Sequence, residues 1–371
     1  MERGYKYRIY PTPEQEVQIQ KTFGCVRFVF NHFLALRKDL WASEKKSLSY
    51  NECSVRMTQM KQKPETEWLA EVDATALQSS LRSLDTAFKH FFRGLKQGTF
   101  VGFPRFKSKK SHRRSYICKK VGSNIKLLSD SVQLPKLGLV KCTVSRPIEG
   151  RILSATVSQT PSGKYYVSLC CTDVEIERLP TADKKVGLDV GIMSFAVDSN
   201  GTSYANPKYL QRSQRKLIRA QRQLSRKTKV SRNRDKARVK LARIHEHIEA
   251  QRKDMLHKLT TQLIKENDVI CIEDLNVSNM MKNHHLAQSI ADVSWYEFRR
   301  QLEYKAEWYG RRIVAVDPKN TSRVCSVCGQ KSDAVKSLSV RRWKCAHCGT
   351  EHDRDGNAAK NILARGLQMA V

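Results

Sequence analysis

The sequence of 371 residues lacks long apolar runs and an apolar leader. A membrane-spanning helix needs about 20 consecutive apolar residues, and no segment approaches that length. The N-terminal segment MERGYKYRIYPTPEQEVQIQKTFG is polar from its first residues, so it has no apolar region of the kind that forms a secretion signal. We therefore expect a cytoplasmic protein with no membrane partner.

Acidic residues are scarce relative to basic ones. The chain has 36 Asp and Glu against 68 Lys and Arg, a formal net charge of +32. Such a charge repels itself unless a polyanion binds. Anionic lipid is disfavoured because the sequence has no amphipathic or lipidated anchor, so nucleic acid is the expected partner.

Several catalytic motifs are absent as well. The chain has no G-x-S-x-G, GxxxxGK(S/T) or GxGxxG motif, which removes support for an esterase, a P-loop nucleotidase or a dinucleotide-binding enzyme. Its ten histidines form no HExxH motif, so a zinc protease is not indicated either.

Eleven cysteines, an odd number in an unexported chain, favour a metal site over a disulfide framework. Four of them form CSVCG and CAHCG, a spacing that lets thiolates share one tetrahedral ion and that is typical of a closed structural zinc ribbon rather than a catalytic zinc: Cys325, Cys328, Cys345 and Cys348. We expect His347 and His352 to be surface residues or phosphate contacts, not ligands. The remaining seven are predicted to be buried thiols: Cys25, Cys53, Cys118, Cys142, Cys170, Cys171 and Cys271.

The hydrophobic pattern changes along the chain. A Thr-Pro-Glu start and helical periodicity predict helices from YPTPEQE to about residue 100. Short alternating runs between Pro, Gly and Ser-Gly then predict β-hairpins and a small β-barrel up to the linker ERLPTADKK. After the linker, an Asn-Gly turn predicts a hairpin, and VICIED and RRIVAVDP predict buried strands. Between those two strands, a Ser294–Glu297 capping box and a stop at Gly310 predict a helix.

The segment from Pro207 to Arg234 contains no acidic residue, while Leu210, Leu217 and Leu224 recur every seven positions. This pattern predicts a long helix or a helical pair with a narrow apolar stripe. Unrelieved positive charge destabilises a free helix, so a phosphate partner is favoured over a merely solvated face. We predict nucleic-acid contacts here and in the basic run FPRFKSKKSHRR: Arg105, Lys107, Lys109, Lys110, Arg113, Arg212, Arg215, Lys216, Arg219, Arg222 and Arg226.

Carboxylates stand at three places where a sheet-based active site would need them. Asp189 follows an apolar run, Glu273 and Asp274 end VICIED, and Asp353 and Asp355 open the helix GNAAKNILARG. Taken singly, each could form a turn, an ion pair or a helix cap. Together they favour a divalent-cation site, since desolvated carboxylates need a compensating cation. In so basic a chain, this points to magnesium-dependent phosphodiester cleavage.

Ordered motifs along the whole chain resemble the TnpB proteins, which are transposon-encoded RNA-guided DNA nucleases. The motifs are YRIYPTPEQE, TFGCVRFVFN, FPRFKSKKS, LPKLGLVK, VGLDVGIMSFAVDSNG, VICIEDLNV, TSRVCSVCG, KCAHCG and HDRDGNAAKNIL. The resemblance implies an α+β multidomain protein: an RNase H-like (RuvC) nuclease domain with a zinc-ribbon insertion, and a β-barrel wedge domain with a helical recognition insertion. The implied boundaries are 1–10 and 116–180 for the wedge, 11–115 for recognition, 181–318 and 351–371 for the nuclease, and 319–350 for the ribbon.

The resemblance also implies ligands and partners. Asp189, Glu273 and Asp355 would be catalytic and would bind two Mg²⁺ ions, replaceable by Mn²⁺, while the four paired cysteines would bind one structural Zn²⁺. Asp274 and Asp353 would be supporting or capping residues, although Asp353 stays open as a ligand. Asp355 is expected to cap its helix in addition to binding metal. The implied partners are a guide RNA from the transposon end and double-stranded target DNA carrying a short adjacent motif, in a prokaryotic cytoplasm.

Two alternatives remain open. A catalytically silent nucleic-acid-binding regulator would keep the scaffold, but such a relative would be expected to have lost one of the three acids. A transposase that joins strands uses similar carboxylates, and it would give strand-transfer products rather than simple breaks.

Overall fold

The structure, a computed structural model, describes residues 1–111, 114–337 and 339–370, without the side chain of residue 370. Of the residues predicted to contact nucleic acid, Arg113 lies outside these ranges. The chain divides into two compact units, Met1–Glu175 and Ile176–Val371. The boundary falls just before the predicted linker ERLPTADKK.

The first unit begins with one strand and continues with helices, as the sequence predicts. Thr12 caps the first helix: its Oγ1 accepts a hydrogen bond from Gln15 N (3.3 Å), and Gln15 Oε1 accepts one from Thr12 N (3.0 Å). Pro13 then occupies a position where its missing N–H costs nothing. The helical elements are α1 (Pro13–Glu44), α2 (Tyr50–Met60), a 3₁₀ turn (Glu67–Glu71) and α3 (Ala74–Lys96).

The predicted hairpins of the first unit form one seven-stranded antiparallel sheet, in the order β2-β6-β7-β1-β5-β4-β3. The N-terminal strand pairs with both β7 and β5, so the helices are inserted in the chain between it and the remaining six strands. The strands are β1 (Arg3–Tyr10), β2 (Arg114–Lys119), β3 (Lys126–Leu127), β4 (Ser131–Leu134), β5 (Gly138–Thr143), β6 (Arg151–Gln159) and β7 (Tyr165–Thr172).

The second unit contains a five-stranded mixed sheet in the order β10-β9-β8-β11-β12. Three antiparallel strands come first, joined in part by the predicted Asn200-Gly201 turn, and the last two strands run parallel to the first. This topology is that of the predicted RNase H-like fold. The strands are β8 (Lys185–Val190), β9 (Ser194–Asp198), β10 (Ser203–Ala205), β11 (Val269–Glu273) and β12 (Arg312–Val316).

Helices cover both faces of this sheet. Ile270 and Ile272 of β11 face one core, which includes Phe298, and Cys271 faces another, which includes Ile362. A strand buried on both faces explains the continuous apolar run of VICI. The helices are α4 (Tyr209–Ser225), α5 (Arg232–Glu266), α6 (Val277–Met280), α7 (Ala287–Val293), α8 (Trp295–Tyr309) and α9 (Arg354–Ala370).

Helix α8 ends at Gly310 as predicted, with φ 71°, but the predicted capping box at its start is wrong. Ser294 also ends α7 and has φ 60°, whereas a capping residue needs an extended backbone. Its hydroxyl donates to Ala291 O (3.1 Å), and the Glu297 carboxylate accepts hydrogen bonds from Arg300 (2.8 Å) instead.

A small ribbon precedes α9. Strands β13 (Arg342–Lys344) and β14 (Glu351–Asp353) pair antiparallel, and Val335 and Trp343 pack against the paired cysteines. In the described part of the chain, no helix combines the length and apolar character that crossing a bilayer would require.

Candidate active site and metal centre

Asp189 and Glu273 lie side by side at one edge of the second sheet. Asp189 is near the end of β8 and Glu273 is the last residue of β11, and these strands are parallel neighbours. Their register pairs Leu188 with Ile272, so the next residue of each strand comes to the same edge. The sheet topology therefore brings together two acids that are far apart in the sequence.

Helix α9 lies directly on these two strands because two glycines permit it. A Cβ at Gly187 in β8 would lie 2.2 Å from Ala359 O, and a Cβ at Gly366 in α9 would lie 2.2 Å from Cys271 Sγ in β11. No real side chain fits at such distances. This close packing carries the first turn of α9, and Asp355 within it, to the edge that holds Asp189.

The two aspartates at the start of α9 have different roles. Asp353 Oδ1 accepts a hydrogen bond from Gly356 N (2.9 Å), so Asp353 is the residue that caps the helix. The expectation that Asp355 is also a cap is wrong, because Asp355 already lies inside the first turn. Its Oδ1 instead accepts a hydrogen bond from Arg341 Nη1 (3.1 Å).

The three acids interact electrostatically, although among the described residues only the four paired cysteines are grouped closely enough to share an ion. Burial raises the pKa of Asp189 well above its usual range, and the negative charges of Glu273 and Asp355 raise it further, against the opposing effect of Arg354 and Arg341. Burial also raises the pKa of Glu273, but a 2.6 Å hydrogen bond from Thr321 Oγ1 to its Oε1 opposes that change. Repulsion of this kind is what a bound cation would relieve.

Asp274 does not lie with the other acids. Arg341 and Arg354, which no sequence pattern indicated, do lie close enough to Asp189 to affect its pKa. Asp274 is exposed and pairs with Arg299. Arg354 is buried and donates to Val335 O (3.1 Å) and Ser337 O (2.6 Å), which ties α9 to the ribbon. The sequence contains no signal for the position of Arg354, because the acceptors of its hydrogen bonds are backbone carbonyls of another segment.

The four paired cysteines converge as predicted. Their Sγ atoms all lie within 4.8 Å of one another, with Cys325 to Cys348 at 3.6 Å and Cys328 to Cys345 at 3.7 Å. Sulfurs about 2.3 Å from a tetrahedral zinc ion would be about 3.8 Å apart, so the cluster fits that ion. Hydrogen bonds with the Thr350 side chain and backbone lower the pKa of Cys348 to about 6. Although a hydrogen bond with the Gln330 backbone lowers it, the pKa of Cys328 is instead raised by burial and by the neighbouring thiols, so the four thiols do not all favour the thiolate before an ion binds.

The expectation that His352 lies on the surface is wrong. It is buried, its Nε2 lies 3.0 Å from Cys325 Sγ, and its ring centroid is 4.7 Å from that of Trp343. Its place in β14, opposite Trp343, turns its side chain inward. His347, by contrast, is exposed as predicted.

The residues predicted to contact nucleic acid are exposed wherever the structure describes them. The predicted helical pair is present as α4 and α5, and Leu217 is buried between them. The six predicted contacts of α4 and the residue that follows it form no ion pairs within the described ranges: Arg212, Arg215, Lys216, Arg219, Arg222 and Arg226.

Three family models match the chain. A model described as "Probable transposase" matches residues 168–284, and one described as "Cas12f1-like, TNB domain" matches residues 295–362. A third, described as "Helix-turn-helix domain", matches residues 1–46. In that range the structure has β1 and the single helix α1 rather than two helices.

Relatives align over nearly the whole chain. A Streptomyces pristinaespiralis protein named "Putative RNA-guided DNA endonuclease" is 42% identical, and the alignment covers 100% of this chain and 91% of the relative. This chain belongs to the TnpB family. A second TnpB relative, named "Putative RNA-guided DNA endonuclease InsQ", comes from Escherichia coli (strain K12); it is 36% identical, with 98% of this chain and 92% of the relative covered.

The TnpB fold is also that of a solved structure. The chain is similar to one in the cryo-EM structure of a Cas12f1-sgRNA-target DNA complex, with a TM-score of 0.57, 14% identity and 98% of each chain covered. At this identity the similarity concerns the fold alone, and it confirms the predicted α+β multidomain class.

Proposed function

We propose that this TnpB protein is an RNA-guided DNA endonuclease. It cleaves double-stranded DNA that is complementary to a guide RNA from the transposon end and lies next to a short adjacent motif. The observation that carries the proposal is the placement of Asp189 and Glu273 at one sheet edge, where the charge of Asp355 also acts on Asp189, in a chain with a formal net charge of +32. The names of the aligned relatives are consistent with it.

In this proposal the three carboxylates hold two Mg²⁺ ions, which Mn²⁺ can replace. The donor set fits, because hard divalent cations prefer oxygen ligands and the site is rich in desolvated negative charge. When bound, such ions act as Lewis acids that stabilise charge developing on the scissile phosphate. The chain's own part is positional: β8, β11 and α9 fix the acids, and the Thr321 hydroxyl helps to keep Glu273 ionised.

Two cavities next to the acids offer room for a DNA strand. One of about 490 Å³ is lined by Glu273 together with Tyr296 and Arg299. The other, of about 530 Å³, is lined by Asp355 together with Lys360. A strand in either cavity would pass next to one of the proposed catalytic acids.

The remaining parts of the chain receive supporting roles. Residues 181–318 and 351–371 would form the RuvC-like nuclease domain, and residues 319–350 the ribbon, in which the four paired cysteines hold one structural Zn²⁺. Residues 1–10 and 116–180 would form the wedge, and residues 11–115 the recognition domain. The exposed cations of α4 and of the Arg105–Lys110 run would bind phosphates of the RNA and of its hybrid with DNA.

A strand-joining transposase is the second candidate, because one matching family model carries the description "Probable transposase". The two candidates differ in their products. A nuclease gives free ends in a matched target, whereas a strand-joining enzyme gives transposon ends covalently attached to target DNA.

The test begins by sequencing the RNA that co-purifies with the full-length protein. A plasmid library that matches this RNA and carries randomised flanks is then incubated with protein and Mg²⁺. We expect cleavage of matched plasmids with one selected flank, none with Asp189→Ala, and unchanged cleavage with Asp254→Ala, which removes an exposed acid paired with Lys258. Joined products, or full cutting by the Asp189 variant, would refute the proposal.

A further inference from the structure

A cavity of about 240 Å³ in the first unit is lined by three cations and three serines. Arg27 comes from α1, Lys107 from the segment that follows α3, and Arg114 from the start of β2. Ser108, Ser111 and Ser115 complete its polar lining. Lys107 and Arg114 belong to the basic run for which the sequence predicts phosphate contacts, whereas no sequence pattern indicated Arg27.

Within the described ranges, none of Arg27, Lys107 and Arg114 forms an ion pair. The partners of the Arg114 guanidinium are neutral: Gln20 Oε1 (2.7 Å), Ser111 O (3.2 Å) and Lys109 O (3.5 Å). These bonds fix the direction of the guanidinium and leave part of its donor capacity unused.

The backbone of Lys107 is held by two hydrogen bonds with Asn31. Its backbone N donates to Asn31 Oδ1 (2.8 Å), and its carbonyl accepts from Asn31 Nδ2 (2.9 Å). Its Nζ lies 4.0 Å from the centroid of the Phe30 ring. Lys107 as a whole is exposed, but partial desolvation of its ammonium lowers the pKa of Lys107. A bound anion would favour the charged form of this ammonium.

We propose that this cavity binds one backbone phosphate of a nucleic acid. Fixed arginine and lysine donors with adjacent hydroxyls are the groups that recognise phosphate oxygens. The guanidinium of Arg114, which neutral acceptors orient, distinguishes this cavity from a merely solvated cationic surface. The proposal rests on the proposed function for the presence of nucleic acid, and the phosphate comes either from the guide RNA or from the target DNA.

The test uses phosphate-ethylation interference on the full-length protein, once with its co-purifying RNA and once with matched duplex DNA. The cavity variant is Arg27→Gln with Lys107→Gln, and the control is Lys21→Gln with Lys89→Gln, two exposed lysines of the same unit that are already paired with Glu71 and Asp85. We expect the cavity variant to lose interference at one phosphate, which the control retains. We also expect its salt slope, the fall of log K with log salt concentration, to decrease by about 0.7 for RNA or about 0.9 for duplex DNA.

The arm in which the interference is lost identifies the source of the phosphate. The single variant Lys107→Arg should retain the interference position, because the positive charge is kept. If the double variant fails to fold, the single variant Lys107→Gln takes its place in the same assay. Retention of every interference position in both RNA and DNA would overturn the proposal. That result differs from a failure of the proposed function, in which the wild-type protein binds no RNA and cuts no matched plasmid.

Discussion

Thr321 Oγ1 donates a 2.6 Å hydrogen bond to Glu273 Oε1, which joins the end of β11 to the segment that leads into the first cysteine pair. Thr321 is buried, and its backbone carbonyl accepts a hydrogen bond from Asn361 Nδ2 of α9 (2.8 Å). One residue thus contacts the strand that bears Glu273 and the helix that bears Asp355. The segment that leads into the first cysteine pair is therefore hydrogen-bonded to Glu273 and to the helix that carries Asp355.

Thr321→Val should shift the acid limb of the pH–rate profile for cleavage to higher pH. Burial already raises the pKa of Glu273, and loss of the hydroxyl removes a hydrogen bond that lowers it. Since the proposed mechanism needs the ionised carboxylate, each rise of the Glu273 pKa by about 1 should slow cleavage on that limb by up to about tenfold. Single-turnover rates across pH test this, and Thr321→Ser should retain the wild-type limb. An unmoved limb in the valine variant would contradict the role given to this bond.

Asp189→Asn should stabilise the metal-free protein at neutral pH while abolishing cleavage. The folded-state pKa of Asp189 lies above its unfolded value, so the folded state binds more protons between the two values and stability falls as pH rises through that window. Removing the charge should recover about 1 kcal/mol. Thermal melting without metal at pH 7 tests this, with Asp254→Asn as the control. The gain should vanish below the unfolded pKa, and a lower melting temperature at pH 7 would contradict the prediction.

Gly187→Ala should separate α9 from the sheet. The added Cβ would meet Ala359 O at 2.2 Å, so we expect a destabilisation of about 1–3 kcal/mol and a large loss of cleavage as Asp355 moves.

Gly356→Ala in the same helix is the matched control. Its Cβ would make only an ordinary contact, 3.6 Å from Asp353 Oδ1, and alanine favours the helix by about 0.5–1 kcal/mol. Denaturant unfolding and cleavage rates separate the two variants. Equal effects of the two substitutions would mean that close packing at Gly187 is not what places Asp355.

His352→Ala should weaken zinc binding. The buried imidazole lies 3.0 Å from Cys325 Sγ, and loss of such an outer partner of a ligand typically lowers metal affinity by about 10–100-fold. Competition with a chromogenic chelator measures the affinity directly. His347→Ala, at an exposed position between Cys345 and Cys348, should leave it unchanged, and equal affinities of both variants would count against the contact.

Replacing Arg215, Arg219 and Arg222 with glutamine should weaken RNA binding and reduce its salt dependence. These side chains are exposed on one helix, and the slope should fall by about 2–3 if each contacts a phosphate. Fluorescence anisotropy at several salt concentrations tests this. Lys258→Gln, which removes a lysine already paired with Asp254, should leave the slope nearly unchanged. An unchanged slope in the triple variant would place the nucleic acid elsewhere.

Local sequence patterns correctly predicted several helix ends and strands, because interactions between residues close in the sequence form them. Thr12 and Pro13 start α1, Gly310 ends α8, and the apolar run VICI becomes a strand with helices on both faces. The Ser294 capping box failed because the end of the preceding helix sets the backbone of that residue. The prediction that His352 lies on the surface was wrong because its burial depends on a cross-strand neighbour, Trp343.

The sequence by itself determined the family, the excess of positive charge and the residue types that can bind zinc and divalent cations, because motif spacing and composition are properties of the linear chain. Only the tertiary structure decided which aspartate caps α9, that Arg341 and Arg354 lie beside the acids, and that Arg27 and Arg114 join Lys107. These relationships arise between segments far apart in the chain. They depend on the approach of helix to sheet that Gly187 and Gly366 permit and on backbone acceptors that residue identity does not reveal.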